Sequence, residues 1–315
     1  MPDYYESLRK AELHVHLEGS VEAATLLELD TSLQPEDVRD VYRYQNFAGF
    51  LQSYAWVSKK LREPEHYGLI TQRLLEQLEA QNVSYAEINL SMGVVLWKEQ
   101  DAEGIFQAER EAAAKSKVRV RWIFDAVRQF GYEHVERVAA LALQHQEHDV
   151  VGFGIGGDEA RGPARDFGAI FGEVRKRGMA IVPHAGESMG PESIWAALEM
   201  GAVRIGHGIR AIDDPVLMEH LRREDIPLEV CISSNICTGV VPTLEEHPVR
   251  KLFDAGVPVV LNSDDPAMFH TTLSNEYRIA AESFGFTEEE LRGLAANSFR
   301  YALDSAEANV IDNHG

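Results

Sequence analysis

Imidazole and carboxylate side chains stand at the ends of several short apolar segments of this chain. The first segment ends in His14 and His16, and a spacing of two residues places both rings on one face of a strand. Two later segments end in His184 and Asp264. Three imidazole nitrogens and one carboxylate are a usual ligand set for zinc. The sequence therefore predicts that these four residues bind one Zn2+ ion per chain.

Three further side chains at the ends of such apolar segments have no predicted contact with the metal. They are Glu187, His207 and Asp265. A divalent cation stabilises the conjugate base of water and lowers its pKa from about 15.7 to about 7, which makes water a nucleophile near neutral pH. Hydrolysis also needs groups that transfer protons and bind the substrate, and these three residues fit that need. The residues thus predict a metal-dependent hydrolase.

Two other residues near these segments have two possible roles each, and two further histidines are expected at the surface. Gly157 lies in a Gly-Gly-Asp-Glu sequence and either forms a tight turn or contacts the substrate. Glu18 follows the histidine pair and either caps the next segment or contacts the substrate. His220 and His247 lie in helical or loop patterns, and we expect them at the surface.

Eight short apolar segments alternate with amphipathic segments along the chain. The predicted strands are Ala11 to His16, Val83 to Leu90, Val118 to Phe124, Val150 to Ile155, Met179 to His184, Val203 to His207, Pro227 to Cys231 and Val257 to Asn262. The predicted helices are Tyr67 to Gln81, Ala102 to Lys115, His134 to Gln146, Ala164 to Arg177, Pro191 to Met200, Asp214 to Arg223 and Pro248 to Ala255. This alternation predicts an α/β fold, a (β/α)8 TIM barrel, whose reacting groups lie at the C-terminal ends of the strands.

The segment from about residue 21 to residue 65 is too long for one connection between a strand and a helix. It carries helical material with a cluster of aromatic residues, Phe47, Phe50, Tyr54 and Trp56. We predict a helical insertion after the first strand, which either acts as a lid over the catalytic mouth or packs onto the barrel. The chain is predicted to be a single barrel domain over residues 1–315, with a frayed tail after Asp304.

The composition and net charge of the chain exclude some classes of binding partner. The 51 acidic residues outnumber the 30 Lys and Arg, and the formal net charge of -21 would repel nucleic acid. No apolar run reaches the length of a membrane span, and the N-terminus lacks the apolar region of a signal peptide. We therefore expect a cytoplasmic protein with a small-molecule substrate, in which Cys231 and Cys237 stay reduced. The oligomeric state is left open.

Five segments together resemble the adenosine deaminase family, within the amidohydrolase superfamily. They are Lys10-Ala-Glu-Leu-His-Val-His-Leu-Glu-Gly-Ser20, His184-Ala-Gly-Glu187, Arg204-Ile-Gly-His-Gly208, Ser233-Ser-Asn235 and Asn262-Ser-Asp-Asp-Pro266. They occur in the order of the family, and the resemblance covers the chain from about residue 8 to residue 300. The combination is specific, whereas no single segment would be.

The resemblance implies a role for each of these residues in the hydrolysis of a 6-aminopurine. The four predicted ligands would bind one catalytic zinc ion. Glu187 would protonate N1 of the purine while hydroxide adds to C6, and His207 would orient the attacking water and take its proton. Asp265 would hydrogen-bond to N7, and the backbone N–H of Gly157 to N3. Ammonia would then leave, and the 6-oxo product would form.

Three positions depart from the usual pattern of the family. Enzymes acting on adenosine carry Asp where this chain has Glu18, and an acidic residue where it has Gly154, so recognition of an ordinary 5′ hydroxyl is in question. Adenine deaminases usually carry Asp where this chain has Gly206, and a glycine there would leave room for a sugar. A nucleoside is therefore favoured over free adenine.

Two stretches resemble the bacterial branch that deaminates 6-amino-6-deoxyfutalosine, an intermediate of an alternative route to menaquinone. They are residues 50–56 and Leu90-Ser-Met-Gly-Val-Val-Leu-Trp97. That substrate is an adenosine analogue with an aromatic carboxylate beyond the 5′ carbon. We place it narrowly ahead of adenosine, with adenine as the nearest alternative. A catalytically silent binding protein would have lost some of these side chains, yet all of them are present. A two-metal hydrolase would usually need a bridging carboxylate or a carbamylated lysine, and no lysine lies in or near the fourth predicted strand.

Overall fold

Parallel strands form the centre of the computed structural model, which describes residues 3–304. The strands among these residues are β1 (Lys10–His16), β2 (Val83–Leu90), β3 (Arg119–Val127), β4 (Val150–Gly156), β5 (Ala180–Ile181), β6 (His184–Ala185), β7 (Ile205–His207), β8 (Leu228–Val230) and β9 (Val259–Leu261). Strands β1 to β5 pair in chain order in one sheet, and β6 to β9 pair in a second. Nearly every strand residue is buried, as expected where helices cover a parallel sheet.

The two sheets join into one closed barrel at two places. The N–H groups of His16 and Asp264 donate to the carbonyls of Asp264 and His14 over 2.8 and 2.9 Å, which ties the segment after β9 to β1. Elsewhere the chain passes from β5 to β6 through Pro183, which has no N–H to donate. The single strand predicted for residues 179–184 is therefore divided in two. The predicted barrel itself is confirmed.

Helices follow most strands and cover the outside of the barrel. The α-helices are α1 (Tyr4–Ser7), α2 (Ala23–Leu29), α3 (Pro35–Val41), α4 (Phe47–Ser58), α5 (Pro64–Ala80), α6 (Met92–Trp97), α7 (Ala102–Ala113), α8 (Tyr132–Gln144), α9 (Gly168–Lys176), α10 (Pro191–Glu199), α11 (Pro215–Arg223), α12 (Ile232–Cys237), α13 (Val249–Asp254), α14 (Leu273–Phe284) and α15 (Glu288–Arg300). Short 3-10 helices span Glu18–Ser20, Arg128–Phe130, Gln146–His148, Ala164–Phe167, Ile209–Asp213 and Leu244–Glu246. The predicted helix over residues 164–177 thus begins as a 3-10 turn.

One strand boundary matters for the site. Strand β3 continues to Val127, three residues beyond its predicted end at Phe124, and so includes Asp125. This side chain therefore lies in the wall of the barrel and not in a loop. A polar residue inside a buried strand does not fit the apolar pattern by which the strand was predicted.

The insertion after β1 forms helices α2, α3 and α4, and its last residues begin α5. Three of its four predicted aromatic residues, Phe47, Phe50 and Tyr54, line the cavity at the mouth of the barrel. The fourth, Trp56, packs outside the cavity with the ammonium group of Lys60 4.8 Å from its ring centre. The insertion therefore covers the mouth, and its movement as a lid stays a prediction.

Three remaining expectations concern the chain as a whole. Among residues 3–304, no helix combines the length and the apolar character needed to cross a bilayer. Cys231 and Cys237 are both free thiols, as predicted. Residues 305–315, for which a frayed tail was predicted, lie outside the described part of the chain.

Candidate active site

The four predicted metal ligands meet at the C-terminal mouth of the barrel. One ligand atom from each of His14, His16, His184 and Asp264 lies within 4.8 Å of the others, and all four residues are buried. Nε2 of His16 lies 3.1 Å from Nε2 of His184. Nε2 of His14 and Nε2 of His16 each lie 3.5 Å from Oδ1 of Asp264. These nitrogens and this oxygen therefore face one common point.

The charges at this point suit a cation. Nε2 of His14 is buried and makes no hydrogen bond of ordinary geometry with any described residue. Although burial lowers the pKa of His14, the nearby carboxylates of Asp264 and Glu229 raise it to about 10. The carboxylates thus draw a positive charge to the imidazole, and a divalent cation at Nε2 would supply that charge in place of a proton. Three nitrogens and one oxygen fit zinc.

A buried chain of charged groups holds His14 from behind. Its Nδ1 lies 2.7 Å from Oε2 of Glu229, whose other oxygen accepts from Nε of Arg204 over 2.5 Å. Nη2 of Arg204 donates to Glu87 over 2.5 Å, and Glu87 also accepts from the N–H of Leu303 over 2.6 Å. Arg204, noted only as part of a motif, therefore neutralises two buried carboxylates and orients a predicted ligand through one of them.

Glu187 and His207 face each other across the same cavity. Oε1 of Glu187 lies 3.8 Å from Nε2 of His207, and Oδ2 of Asp264 also lies 3.8 Å from that nitrogen. Burial, followed by the charges of Asp264 and Glu159, raises the pKa of Glu187 well above its ordinary value, which favours the protonated carboxyl group. Burial lowers the pKa of His207 to about 4, so the imidazole is neutral at pH 7. An acid and a base therefore stand side by side.

Two polar residues that the sequence did not assign lie behind His207. Its Nδ1 is 3.2 Å from Nδ2 of Asn235, whose Oδ1 is 3.0 Å from Nε2 of His247. The prediction that His247 lies at the surface is wrong, because only 3% of this residue is exposed. This hydrogen bond and a second one, which Nδ1 of His247 accepts from the N–H of Val249, satisfy both nitrogens of the buried ring. This relay fixes the orientation of the His207 ring.

The loop that carries Glu187 is held by a buried carboxylate. Glu159 accepts hydrogen bonds from the backbone N–H groups of Gly186, Glu187 and Ser188 over 2.9, 3.0 and 2.8 Å. Glu159 is the last residue of the Gly-Gly-Asp-Glu sequence, so this sequence binds the loop after strand β6. Gly157 in the same sequence has a φ of +93° and lines the cavity, so it makes the turn, and its contact with the substrate stays a prediction.

The position of the Asp265 side chain requires a glycine at residue 19. A Cβ added at Gly19 would lie 1.6 Å from Oδ1 of Asp265, a position no carbon can occupy. Asp265 lines the cavity, and burial together with the neighbouring charge of Asp264 raises its pKa well above the ordinary value. Asp264 and His207 both have φ near +60°, an uncommon backbone conformation for these residue types that functional sites often impose.

Glu18 lies behind the wall of the cavity. Its carboxylate accepts from the hydroxyl of Tyr54 over 3.0 Å and from the N–H of Ser91 over 3.2 Å, and it is not among the residues that line the cavity. Burial raises its pKa. Glu18 therefore holds Tyr54 of helix α4 over the mouth, and its predicted contact with the substrate would have to pass through Tyr54.

The structure shows what lies beside two of the glycines at which the chain departs from the family pattern. A Cβ at Gly206 would lie 2.9 Å from Cε1 of His14, so this glycine makes room for a predicted ligand, and room for a sugar stays a prediction. A Cβ at Gly154 would lie 2.6 Å from Oδ1 of Asp125. The acid missing at Gly154 is therefore replaced in space by an acid from strand β3, whose pKa burial raises to about 7.

The outer end of the cavity is aromatic and carries two lysines. The ring of Trp97 stacks on that of Phe130, with centres 5.3 Å apart and an angle of 19° between the planes. Trp97 is 59% exposed, which is unusual for so large an apolar side chain. Lys59 and Lys98 also line the cavity, and the ammonium group of Lys98 donates to two backbone carbonyls over 2.6 and 2.8 Å. This end can thus accept an aromatic group that bears a negative charge.

Comparison with known proteins gives the same family along the whole chain. The family model described as adenosine deaminase matches residues 9–312. An aminodeoxyfutalosine deaminase of Streptomyces avermitilis is 40% identical and covers 96% of this chain and 89% of its own length. An adenine deaminase of Rhizobium rhizogenes is 38% identical, with coverages of 95% and 96%. The crystal structure of an adenine deaminase from Arthrobacter aurescens has a TM-score of 0.90 at 26% identity and covers 97% of both chains.

Proposed function

The chain belongs to the adenosine deaminase family, and we propose that it is a zinc-dependent aminohydrolase that converts a 6-aminopurine nucleoside to the 6-oxo product and ammonia. One observation carries this proposal. Four buried candidate ligands converge on one point, and a carboxyl group with a raised pKa and an imidazole with a lowered pKa lie beside that point in the same cavity. Hydrolysis of a purine C6–N bond needs this combination of groups.

His14, His16, His184 and Asp264 would hold the zinc ion. When bound, the ion would supply the Lewis acidity that makes water nucleophilic near neutral pH. His207 would orient that water and take its proton. The side-chain amide of Asn235, whose Nδ2 lies 3.2 Å from Nδ1 of His207, keeps the ring in place.

Glu187 would donate its proton to N1 of the purine while C6 is attacked. The raised pKa supports this role, because a carboxyl group that is ionised at pH 7 has no proton to give. Asp265 would bind N7, and its raised pKa lets it donate a hydrogen bond to that nitrogen. The backbone N–H of Gly157, which lines the same cavity, would bind N3.

We propose 6-amino-6-deoxyfutalosine as the substrate ahead of adenosine. The aromatic end of the cavity, with Trp97 over Phe130 and with Lys59 and Lys98 beside it, suits an aromatic carboxylate beyond the 5′ carbon. The similarity to the Streptomyces avermitilis protein supports this choice. Adenine is the second candidate, because a relative of similar identity carries that name.

The test compares adenine, adenosine and aminodeoxyfutalosine with the zinc-loaded protein, by the change in ultraviolet absorbance and by ammonia release. We expect the highest kcat/KM for aminodeoxyfutalosine. The variant Trp97→Ala should lower kcat/KM for this substrate by about threefold to tenfold and leave adenosine unchanged, since an aromatic pair contributes about 0.5–1.5 kcal/mol. Trp56→Ala, outside the cavity, is the control. Preference for adenine would reject the nucleoside proposal, and failure on all three would reject the deaminase.

A further inference from the structure

Asp125 is a buried carboxylate that the proposed reaction does not use. It lies in strand β3, is 5% exposed and borders the cavity. Its Oδ1 accepts no hydrogen bond from any residue in the described part of the chain. A buried carboxylate oxygen without a donor is unfavourable and rare in folded proteins. The position of Asp125 therefore calls for a donor that comes from the site itself.

His184 offers such a donor. Its Nε2 faces Nε2 of His16 on the side where the four predicted ligands meet. A neutral imidazole that offers Nε2 to a metal carries its proton on Nδ1. Nδ1 of His184 is buried, and no residue among 3–304 accepts a hydrogen bond from it. The ring thus has a buried donor without an acceptor, and Asp125 has a buried oxygen without a donor.

Gly156 separates these two groups. A Cβ added at this glycine would lie 2.9 Å from Oδ2 of Asp125 and 3.5 Å from Nδ1 of His184. Both atoms therefore border the same small space, which is open only because residue 156 has no side chain. That space can hold one water molecule between the two groups, or let them approach each other directly.

We propose that Asp125 is the positioning residue for His184: across the space beside Gly156, its carboxylate accepts the Nδ1 proton and holds Nε2 toward the metal. This inference rests on the proposed metal site. Histidines that bind metals usually donate their second N–H to a carboxylate, a carbonyl or a water. Glu229 already does this for His14 over 2.7 Å.

The neighbouring Gly154 shows that only one acid fits here. Its Cβ would lie 2.6 Å from Oδ1 of Asp125, so an acidic side chain at residue 154 and Asp125 exclude each other. The same carboxylate can therefore be supplied from strand β4 once Asp125 has been shortened. This gives a rescue experiment that a merely space-filling role of Asp125 would fail.

The experiment measures zinc dissociation constants of the whole protein, without substrate, by competition with a chelator. We expect Asp125→Leu and Gly156→Ala each to weaken zinc binding by about 10- to 100-fold. Asp213→Leu, at an exposed carboxylate, is the control and should bind zinc as the original chain does. Gly156→Ala keeps Asp125 and adds one methyl group in the shared space, so it decides the question even if Asp125→Leu does not fold.

The double variant Asp125→Ala with Gly154→Asp should recover most of the lost affinity, and the visible spectrum of its Co2+ form should return toward that of the original chain. Gly154→Asp alone should not improve binding. Undiminished affinity in Gly156→Ala or in a folded Asp125→Leu, or no recovery in the double variant, would overturn the proposal. Failure of the unaltered chain to bind one zinc ion would instead reject the metal site on which it rests.

Discussion

Burial and two neighbouring carboxylates raise the pKa of the Glu187 carboxyl group, and this sets what its replacement should do. Glu187→Gln keeps the shape and loses the acid. We expect turnover to fall by about 10²- to 10⁴-fold with zinc content unchanged, since loss of a general acid commonly costs that much. Steady-state kinetics and metal analysis check this. Glu199→Gln, exposed at the end of α10, should behave as the unaltered chain, and near-normal turnover of Glu187→Gln would remove it from the role.

The pKa values of the acid and the base predict the pH profile. Glu187 acts as an acid only while protonated, so activity should be present below its raised pKa and fall as pH rises through it. His207 accepts a proton only while neutral, so activity should fall as pH drops toward its pKa of about 4. We expect a broad plateau of kcat/KM through neutral pH, measured with zinc content at each point. If kcat/KM already falls as the pH rises above about 4.5, the ordinary value of a glutamate, the assignment of Glu187 as the acid is contradicted.

Sequence reasoning found the residues whose type and strand position identify them, and missed those whose role depends on a neighbour across the barrel. His14 and His16 share a strand face, so their spacing alone brings them together. Glu229 and Asn235 act only through a contact with a histidine of another strand. No periodicity within one segment contains that information, because strand pairing and barrel closure create these contacts.

At the scale of elements, the 3-10 turn after β1 places Gly19 against Asp265. Gly19→Ala would bring a Cβ to 1.6 Å from Oδ1 of that carboxylate, so either the turn or Asp265 must move. We expect a loss of turnover of about 100-fold, because small misplacement of a catalytic group has effects of that size. Steady-state kinetics on the folded variant measures it.

The control for this change is Gly293→Ala in helix α15, where an added Cβ would meet nothing within 4 Å. This control should raise the free energy of unfolding by about 1 kcal/mol, because alanine favours a helix interior over glycine by that amount. Full activity in Gly19→Ala would show that the turn can shift without disturbing Asp265.

Apolar periodicity predicted the strands and helices themselves. The predicted boundaries were wrong where a single residue overrides the pattern. Pro183 interrupts the fifth predicted strand because it lacks an N–H group. Strand β3 runs beyond Phe124 because pairing with β4 continues through the polar Asp125. The length of the segment from residue 21 to residue 65 indicated an insertion, and only the structure shows that its aromatic residues lie over the mouth.

At the scale of the whole molecule, the metal should contribute to folding stability. Binding to the folded state alone stabilises it by about 4 kcal/mol when free zinc exceeds the Kd a thousandfold. We expect chelation to lower the Tm of the unaltered chain by several degrees, measured by circular dichroism. His16→Ala lacks a ligand, so its Tm should not respond to chelation. Equal responses of both proteins would contradict the ligand set.

The barrel consists of two sheets, and the predicted ligands lie on both sides of the two joints between them. His14 and His16 belong to the five-stranded sheet, whereas His184 and Asp264 belong to or follow the four-stranded one. A metal ion would therefore act as a cross-link that prevents the two sheets from separating. In a metal-free chain, opening should begin at these joints and expose backbone to proteases, whose action follows the population of open molecules. Zinc supply would then set how long each copy of the protein survives.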